Sequence, residues 1–262
     1  MMEPSEWASA EAANRAELLA YVGTGSCLES YRAGNISWVI TGVQSAQYNG
    51  VIWPRLSDDE ADQLGPILVD RFRLHQLPAT WQFDAGVQPD NLGDRLAALG
   101  CERLPDGRAL GASIIDATKR LRGLPQLQVE RVITAEDLSV WMNVWTTCTG
   151  EPRTPRESLY TSLGLKRFEP LRHYLARLDH RPVGVSQLFL GQQAAGIHEV
   201  AVREDFRRLG IGSALVQVPL IEARTLGYEL AVANSMPEVR PLFAALGFTE
   251  SLSPFPQYRL WP

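Results

Sequence analysis

Ile197-His198-Glu199-Val200-Ala201-Val202-Arg203-Glu204-Asp205-Phe206-Arg207-Arg208-Leu209-Gly210-Ile211-Gly212-Ser213-Ala214-Leu215 is the stretch from which the fold is read. Its first part alternates as a strand does, with Ile197, Glu199 and Ala201 on one face and His198, Val200 and Val202 on the other. A short charged turn, Arg203 to Asp205, follows, and from Ser213 onward the pattern reads as an apolar helix. A strand, a glycine turn and a helix start leave several backbone N–H groups unpaired and pointing one way. Gly210 and Gly212 let an anion approach the bare backbone, and the helix dipole adds partial positive charge. This chemistry suits a pyrophosphate.

Two familiar phosphate motifs fit poorly. A Rossmann turn wants a third glycine, where this chain has Leu215, and wants its first glycine close behind the strand. Here Arg203 to Leu209 intervene, although Glu229 falls about where a ribose-binding acid would stand. The Gly-Lys-Ser/Thr of a Walker A loop is absent. With Arg207-x-x-Gly210-x-Gly212 after a strand, the stretch instead resembles motif A of the GNAT superfamily of N-acetyltransferases, whose signature is Gln/Arg-x-x-Gly-x-Gly/Ala. The resemblance continues through the strand-like Tyr228 to Ala233 and through Pro241-Leu242-Phe243-Ala244-Ala245-Leu246-Gly247-Phe248, which is similar to the family's closing helix and its Leu-Gly-Phe ending. It covers roughly residues 125–262.

The whole chain has 262 residues, enough for one large or two small domains, and 45% of them are hydrophobic, which suits a globular protein. A net charge of −5 argues against a general nucleic-acid binder, which needs a basic face. Arg203, Arg207 and Arg208 can still form a local basic patch. Cys27, Cys101 and Cys148 are far apart, odd in number and without Cys-x-x-Cys spacing, so the sequence predicts reduced thiols, no metal site and a cytoplasmic setting. Neither a signal peptide nor a membrane-spanning run is read, so no membrane partner is expected.

Along the chain, residues 5–30 read as a helix, and Ile36 to Gly42 and Tyr48 to Trp53 as strands. Ser57 before Asp58, Asp59 and Glu60 caps a helix to about Gln76. A strand at Ala79 to Phe83, a short helix from Asn91 to Leu99 and a strand from Leu110 to Asp116 follow. Arg95-Leu96-Ala97-Ala98-Leu99-Gly100-Cys101-Glu102 echoes Leu242-Phe243-Ala244-Ala245-Leu246-Gly247-Phe248-Thr249-Glu250. Read as an internal duplication rather than a chance recurrence, this predicts two GNAT-like α/β halves with mixed, mostly antiparallel sheets flanked by helices. The expected domains are a degenerate half over residues 1–122 and an acetyl-CoA-binding catalytic half over 123–262, with the linker in Arg120 to Gln128. In the first half, Asp62-Gln63-Leu64-Gly65-Pro66-Ile67 stands for motif A, and Pro66 lacks the backbone donor a phosphate needs. Thr134 with Asp137 starts a helix through Trp145, Cys148 to Pro170 reads as irregular, and His173 to Arg177 with Val183 to Leu190 reads as a hairpin.

The resemblance implies acetyl-CoA as cosubstrate and transfer of its acetyl group to a primary amine of a small molecule or peptide, without a covalent enzyme intermediate. By position in motif A, the strand backbone at Val200, Ala201 and Val202 holds the pantetheine arm. Arg207, Arg208, Leu209, Gly210, Ile211, Gly212 and Ser213 cradle the pyrophosphate, and Asn234 and Phe243 complete the cofactor set; an N-cap role for Asn234 stays open. His198 stands where members acting on arylalkylamines carry a histidine base, and an imidazole suits that task. A structural histidine within the sheet is the alternative. Glu199 is the second catalytic candidate, while Gly196 occupies the place where other members carry a glutamate. Phe243 stands where the family commonly has a tyrosine acid, so a protein that binds acyl-CoA without turning it over is the rival reading. Cys148, Tyr160 and Ser235 are substitutes for that acid, with nothing to select among them. The chain is expected to act as a monomer or homodimer.

Overall fold

Alternating or wholly apolar runs bounded by glycine form strands, and the capped segments with acidic first turns form helices. A computed structural model of the protein describes residues 4–83, 86–104, 109–119, 124–234, 239–250 and 257–262. In chain order the elements are α1 (Pro4–Val22), β1 (Glu29–Arg32), β2 (Ser37–Ile40), β3 (Asn49–Ile52), α2 (Asp58–Leu74), β4 (Ala79–Gln82), α3 (Leu92–Ala98), β5 (Glu102–Arg103), β6 (Ala109–Ser113) and α4 (Ile114–Thr118). Then come β7 (Leu127–Arg131), α5 (Ala135–Thr149), α6 (Thr154–Leu163), β8 (Leu171–Leu178), β9 (Arg181–Leu190), β10 (Ala195–Val202), a 3-10 turn (Glu204–Phe206), α7 (Ile211–Thr225), β11 (Leu230–Asn234), α8 (Arg240–Ala245), β12 (Thr249–Glu250) and β13 (Gln257–Leu260).

The cap signals act as read. The Ser57 hydroxyl accepts from the Glu60 N–H at 3.2 Å while the Glu60 carboxylate accepts from the Ser57 N–H at 2.8 Å, starting α2. Thr134 accepts from the Asp137 N–H at 3.1 Å and starts α5. Other segments differ from the reading. The first helix stops at Val22, and the stretch read as irregular after Cys148 contains α6. The strand expected from Leu110 to Asp116 ends at Ser113 and turns into α4. Asp62 to Ile67 lies inside α2 rather than at its start, because the Ser57 capping box begins the helix earlier. Of the linker, residues 120–123 lie outside the described residues, and Leu127 already belongs to β7.

The chain divides into two compact units that interleave in sequence. One comprises residues 1–14, 108–157 and 164–253; the other comprises 15–107, 158–163 and 254–262. This replaces the contiguous division at 122/123. The reason is strand pairing over long sequence distance, which local patterns do not carry. The first unit holds a seven-stranded sheet of order β12-β6-β11-β10-β9-β8-β7, in which β10 and β11 run parallel. The second holds a six-stranded sheet of order β1-β2-β3-β4-β13-β5, in which β3 and β4 run parallel. Each sheet therefore carries a parallel pair followed by one inserted strand: β6 beside β11, and β13 beside β4. The echo noted in the sequence falls on α3–β5 and α8–β12, whose glycines Gly100 and Gly247 both adopt left-handed φ, 87° and 84°.

In the seven-stranded unit the pleat sorts β11 cleanly. Ala231 and Ala233 pack with Val216 and Leu220 of α7, while Leu230 and Val232 pack with Ala10 of α1. In the six-stranded unit Leu68, Val69 and Phe72 of α2 pack with Val51, Trp81 and Leu96. Among the described residues, no helix is long and apolar enough to cross a membrane, and no group of three or more His, Cys, Asp or Glu is placed to hold a metal ion.

Candidate functional site

The site is built on the seven-stranded unit where β10 passes into α7. The parallel ladder between β10 and β11 runs only from Ala195↔Ala231 to Ile197↔Ala233, leaving His198 to Val202 without a β11 partner among the described residues. On its other side β10 stays paired to β9, with a register shift between His198 and Ala201. The shift is a bulge at Glu199, whose φ is 50°. Backbone groups of a strand residue point to one edge and alternate along the strand. Because the Arg203 N–H donates to Val183 O at 2.9 Å, the Ala201 groups face β9, and those of Val202 and Val200 face the ladderless edge.

Beyond the strand, the 3-10 turn leads to Arg207, whose Nε donates to Val202 O at 3.2 Å and ties the turn to the strand end. Arg208 and Gly210 both adopt left-handed φ, 66° and 85°. Glycine suits that conformation at Gly210, and a Cβ there would meet nothing within 4 Å. Gly210 caps α7 with no side-chain hydrogen bond, and the first turn carries no acidic residue. The first bond of the helix runs from the Ala214 N–H to Gly210 O at 3.1 Å. The N–H groups of Ile211, Gly212 and Ser213 thus precede the ladder of α7 and point outward along a positive dipole. Leu209 is exposed, Ile211 is buried under the turn, and Gly212 and Ser213 are half-buried. Thr147, Cys148, Arg203, Glu204, Asp205 and Arg207 line a cavity of about 220 Å³ beside the turn. Two arginines, two αL residues and three outward N–H groups give this turn a concentration of donors and positive charge of the kind that suits an anion.

Residues 138–248 match the model of the Acetyltransferase (GNAT) family. Over this segment the chain resembles a GNAT domain. Among solved structures, the fold resembles a GCN5-related N-acetyltransferase from Kribbella flavida, at TM-score 0.64 and 14% identity over 96% of this chain and 95% of that one. It also resembles one from Sphaerobacter thermophilus, at TM-score 0.57 and 16% identity over 87% and 76%. A tandem GNAT protein from the clavulanic acid biosynthesis pathway matches at TM-score 0.56 and 14% identity over 99% and 97%. At such identities the likeness is one of fold. No curated protein matches the sequence.

The bulge redistributes the side chains of β10. Strict alternation would group His198 with Val200 and Val202; instead Ile197 and Val200 share the core that includes α7, and Val200 and Val202 pack toward Ile211 and Leu215. His198 lies on the opposite face, with His173 and Gln187 at the same level of β8 and β9. It is 8% exposed, with Nε2 3.1 Å from Asn14 Oδ1 on α1. The left-handed φ turns Glu199 to this side too. Its carboxylate is buried and accepts from Arg156, which also donates to Glu151 and lies 5.0 Å over the Trp145 ring. The Glu199 carboxylate is thus committed to a buried guanidinium. His173, edge-on to Trp141 at 5.2 Å, is held neutral: burial first, then the Arg156 and Arg131 charges, push it down to about 3.

The remaining candidates separate. Phe243 is 3% exposed and packs edge-on against Phe248 at 5.0 Å, so its ring serves the core and not an open cofactor face. Asn234 ends β11, paired with Ala109 of β6. Cys148 lines the cavity; burial pushes its thiol up against the pull of Arg207 and Arg203, so it stands protonated at neutral pH. Tyr160 is fully buried in the six-stranded unit, 2.9 Å from the Tyr48 hydroxyl. Ser235 lies outside the described residues. Asn14, Arg156 and Glu151 escaped the sequence reading, since Asn14 and Arg156 reach the strand, and Glu151 reaches Arg156, through contacts that no local motif announces.

Proposed function

We propose that the protein is an acetyl-CoA-dependent N-acetyltransferase acting on a primary amine of a small molecule or peptide by direct transfer. The observation that carries this reading is the uncapped, basic start of α7 beside the ladderless edge of β10. Bound acetyl-CoA supplies the acetyl group as an activated thioester. The N–H groups of Ile211, Gly212 and Ser213, with the arginines of the turn, bind the pyrophosphate. The Val200 and Val202 backbone offers strand-like hydrogen bonds to the pantetheine amides and so orients the arm. His198, as a neutral imidazole, takes the proton from the acceptor ammonium.

A second reading, an acyl-CoA-binding protein without turnover, is favoured by one observation: Phe243 fills the core where the family commonly has a tyrosine hydroxyl. Incubating the protein with acetyl-CoA and a panel of amines, and following free thiol and acetylated product by mass spectrometry, separates the two. Acetylated amine is the expected product. Acetyl-CoA binding with no acetylated amine across the panel would establish the second reading.

A further inference from the structure

Asn14 is a side chain from outside the strands that reaches the His198 ring. It is 2% exposed on α1 and, like His198, belongs to the seven-stranded unit. Its Nδ2 donates to Ala194 O at 2.9 Å and to Phe189 O at 3.4 Å. Carbonyl oxygens only accept, so these two contacts fix which end of the amide is nitrogen. Oδ1 must then face His198 Nε2, at 3.1 Å. An amide oxygen cannot donate, so Nε2 carries the hydrogen, and in a neutral imidazole the other nitrogen holds the basic lone pair.

The strand itself makes room for this pair. A Cβ on Gly196, two residues before His198 on the same face, would fall 2.0 Å from Asn14 Oδ1 and 2.6 Å from His198 Nε2. Any side chain there would displace the contact. The glycine that leaves the family's usual glutamate position empty is therefore the space in which an amide meets the histidine.

We infer that Asn14 is a positioning residue that fixes His198 as its Nε2–H tautomer and so makes Nδ1 the basic nitrogen. The use of Nδ1 to deprotonate the amine rests on the acetyltransferase reading above; the tautomer does not. The logic is that of an orienting group behind a histidine base.

Long-range proton–nitrogen NMR of the full chain labelled at histidine nitrogens tests it, with His198 assigned by comparison with His198→Gln. Wild type is expected to show the Nε2–H form with that proton protected from solvent exchange. Asn14→Ala should abolish the protection, lower amine acetylation roughly tenfold or more, and leave acetyl-CoA affinity within about twofold. Should Asn14→Ala fail to fold, Gly196→Ala, which crowds the pair while keeping both partners, should abolish the same protected signal. An Nδ1–H tautomer in wild type overturns the inference, as does unchanged protection in both variants. The expected tautomer and its loss, with no amine acetylated by wild type, would defeat the acetyltransferase reading and leave the role of Asn14 over the ring standing.

Discussion

The starts of α7 and α2 occupy matching places in their sheets and are built for opposite purposes. Each follows the first strand of the sheet's parallel pair, β10 or β3. At α2, Ser57 and Glu60 close a capping box and Asp58 and Asp59 crowd the first turn, so the outward N–H groups are partly consumed and an anion meets carboxylates. At α7, Gly210 brings no capping side chain, no acid follows, and three arginines precede it. The strands differ in the same sense. β3 stays paired with β4 to its last residue, Ile52, while β10 leaves β11 after Ile197. Of the two sheets, one thus carries a sealed helix start and the other an open one, and the difference lies in a handful of residues at the turn.

Changes that close or open these ends sharpen the contrast. The largest expected effect concerns the bulge that leads β10 away from its partner. Arg156→Leu removes the guanidinium that offsets the buried Glu199 carboxylate, and should destabilise the seven-stranded unit by about 3–5 kcal/mol in denaturant unfolding. An unchanged midpoint would detach the ion pair from the opening. His198→Ala should lower amine turnover about 100-fold with acetyl-CoA affinity nearly unchanged; equal turnover would remove His198 from the chemistry.

A smaller effect comes from His173. Its folded pKa lies near 3, below the roughly 6.5 of an unfolded chain. Between those values the unfolded state binds more protons, so stability falls as pH drops from about 6.5, by up to about 1.4 kcal/mol per pH unit. His173→Gln should flatten the loss between about pH 6.5 and pH 4.5 in thermal unfolding. Smallest is Ser57→Ala, which should cost the six-stranded unit about 1 kcal/mol and leave acetyl-CoA affinity unchanged. A change in affinity would mean that α2 takes part in binding.

Much of this contrast was legible in the chain because it is local. The Arg207, Gly210 and Gly212 spacing, the Ser57 capping box and the Leu-Gly endings at Gly100 and Gly247 all act within a turn of helix or strand. What stayed hidden depends on partners far away in sequence. Leu110 to Asp116 reads as an ordinary strand and Gln257 to Leu260 is not read at all, and nothing in either stretch tells which sheet it joins. The left-handed Glu199 breaks an alternation that side-chain polarity supports, since a bulge leaves no mark in the hydrophobic pattern. Asn14 lies 184 positions from His198, so only the folded chain joins them.

Calorimetric titration of the full chain with acetyl-CoA, beside Gly210→Asp, tests the central claim most directly. The account predicts one site per chain in wild type and a loss of about 100-fold or more in the variant, where a carboxylate enters the turn. Two sites per chain, or undiminished binding in Gly210→Asp, would contradict the assignment of the open helix start as the cradle.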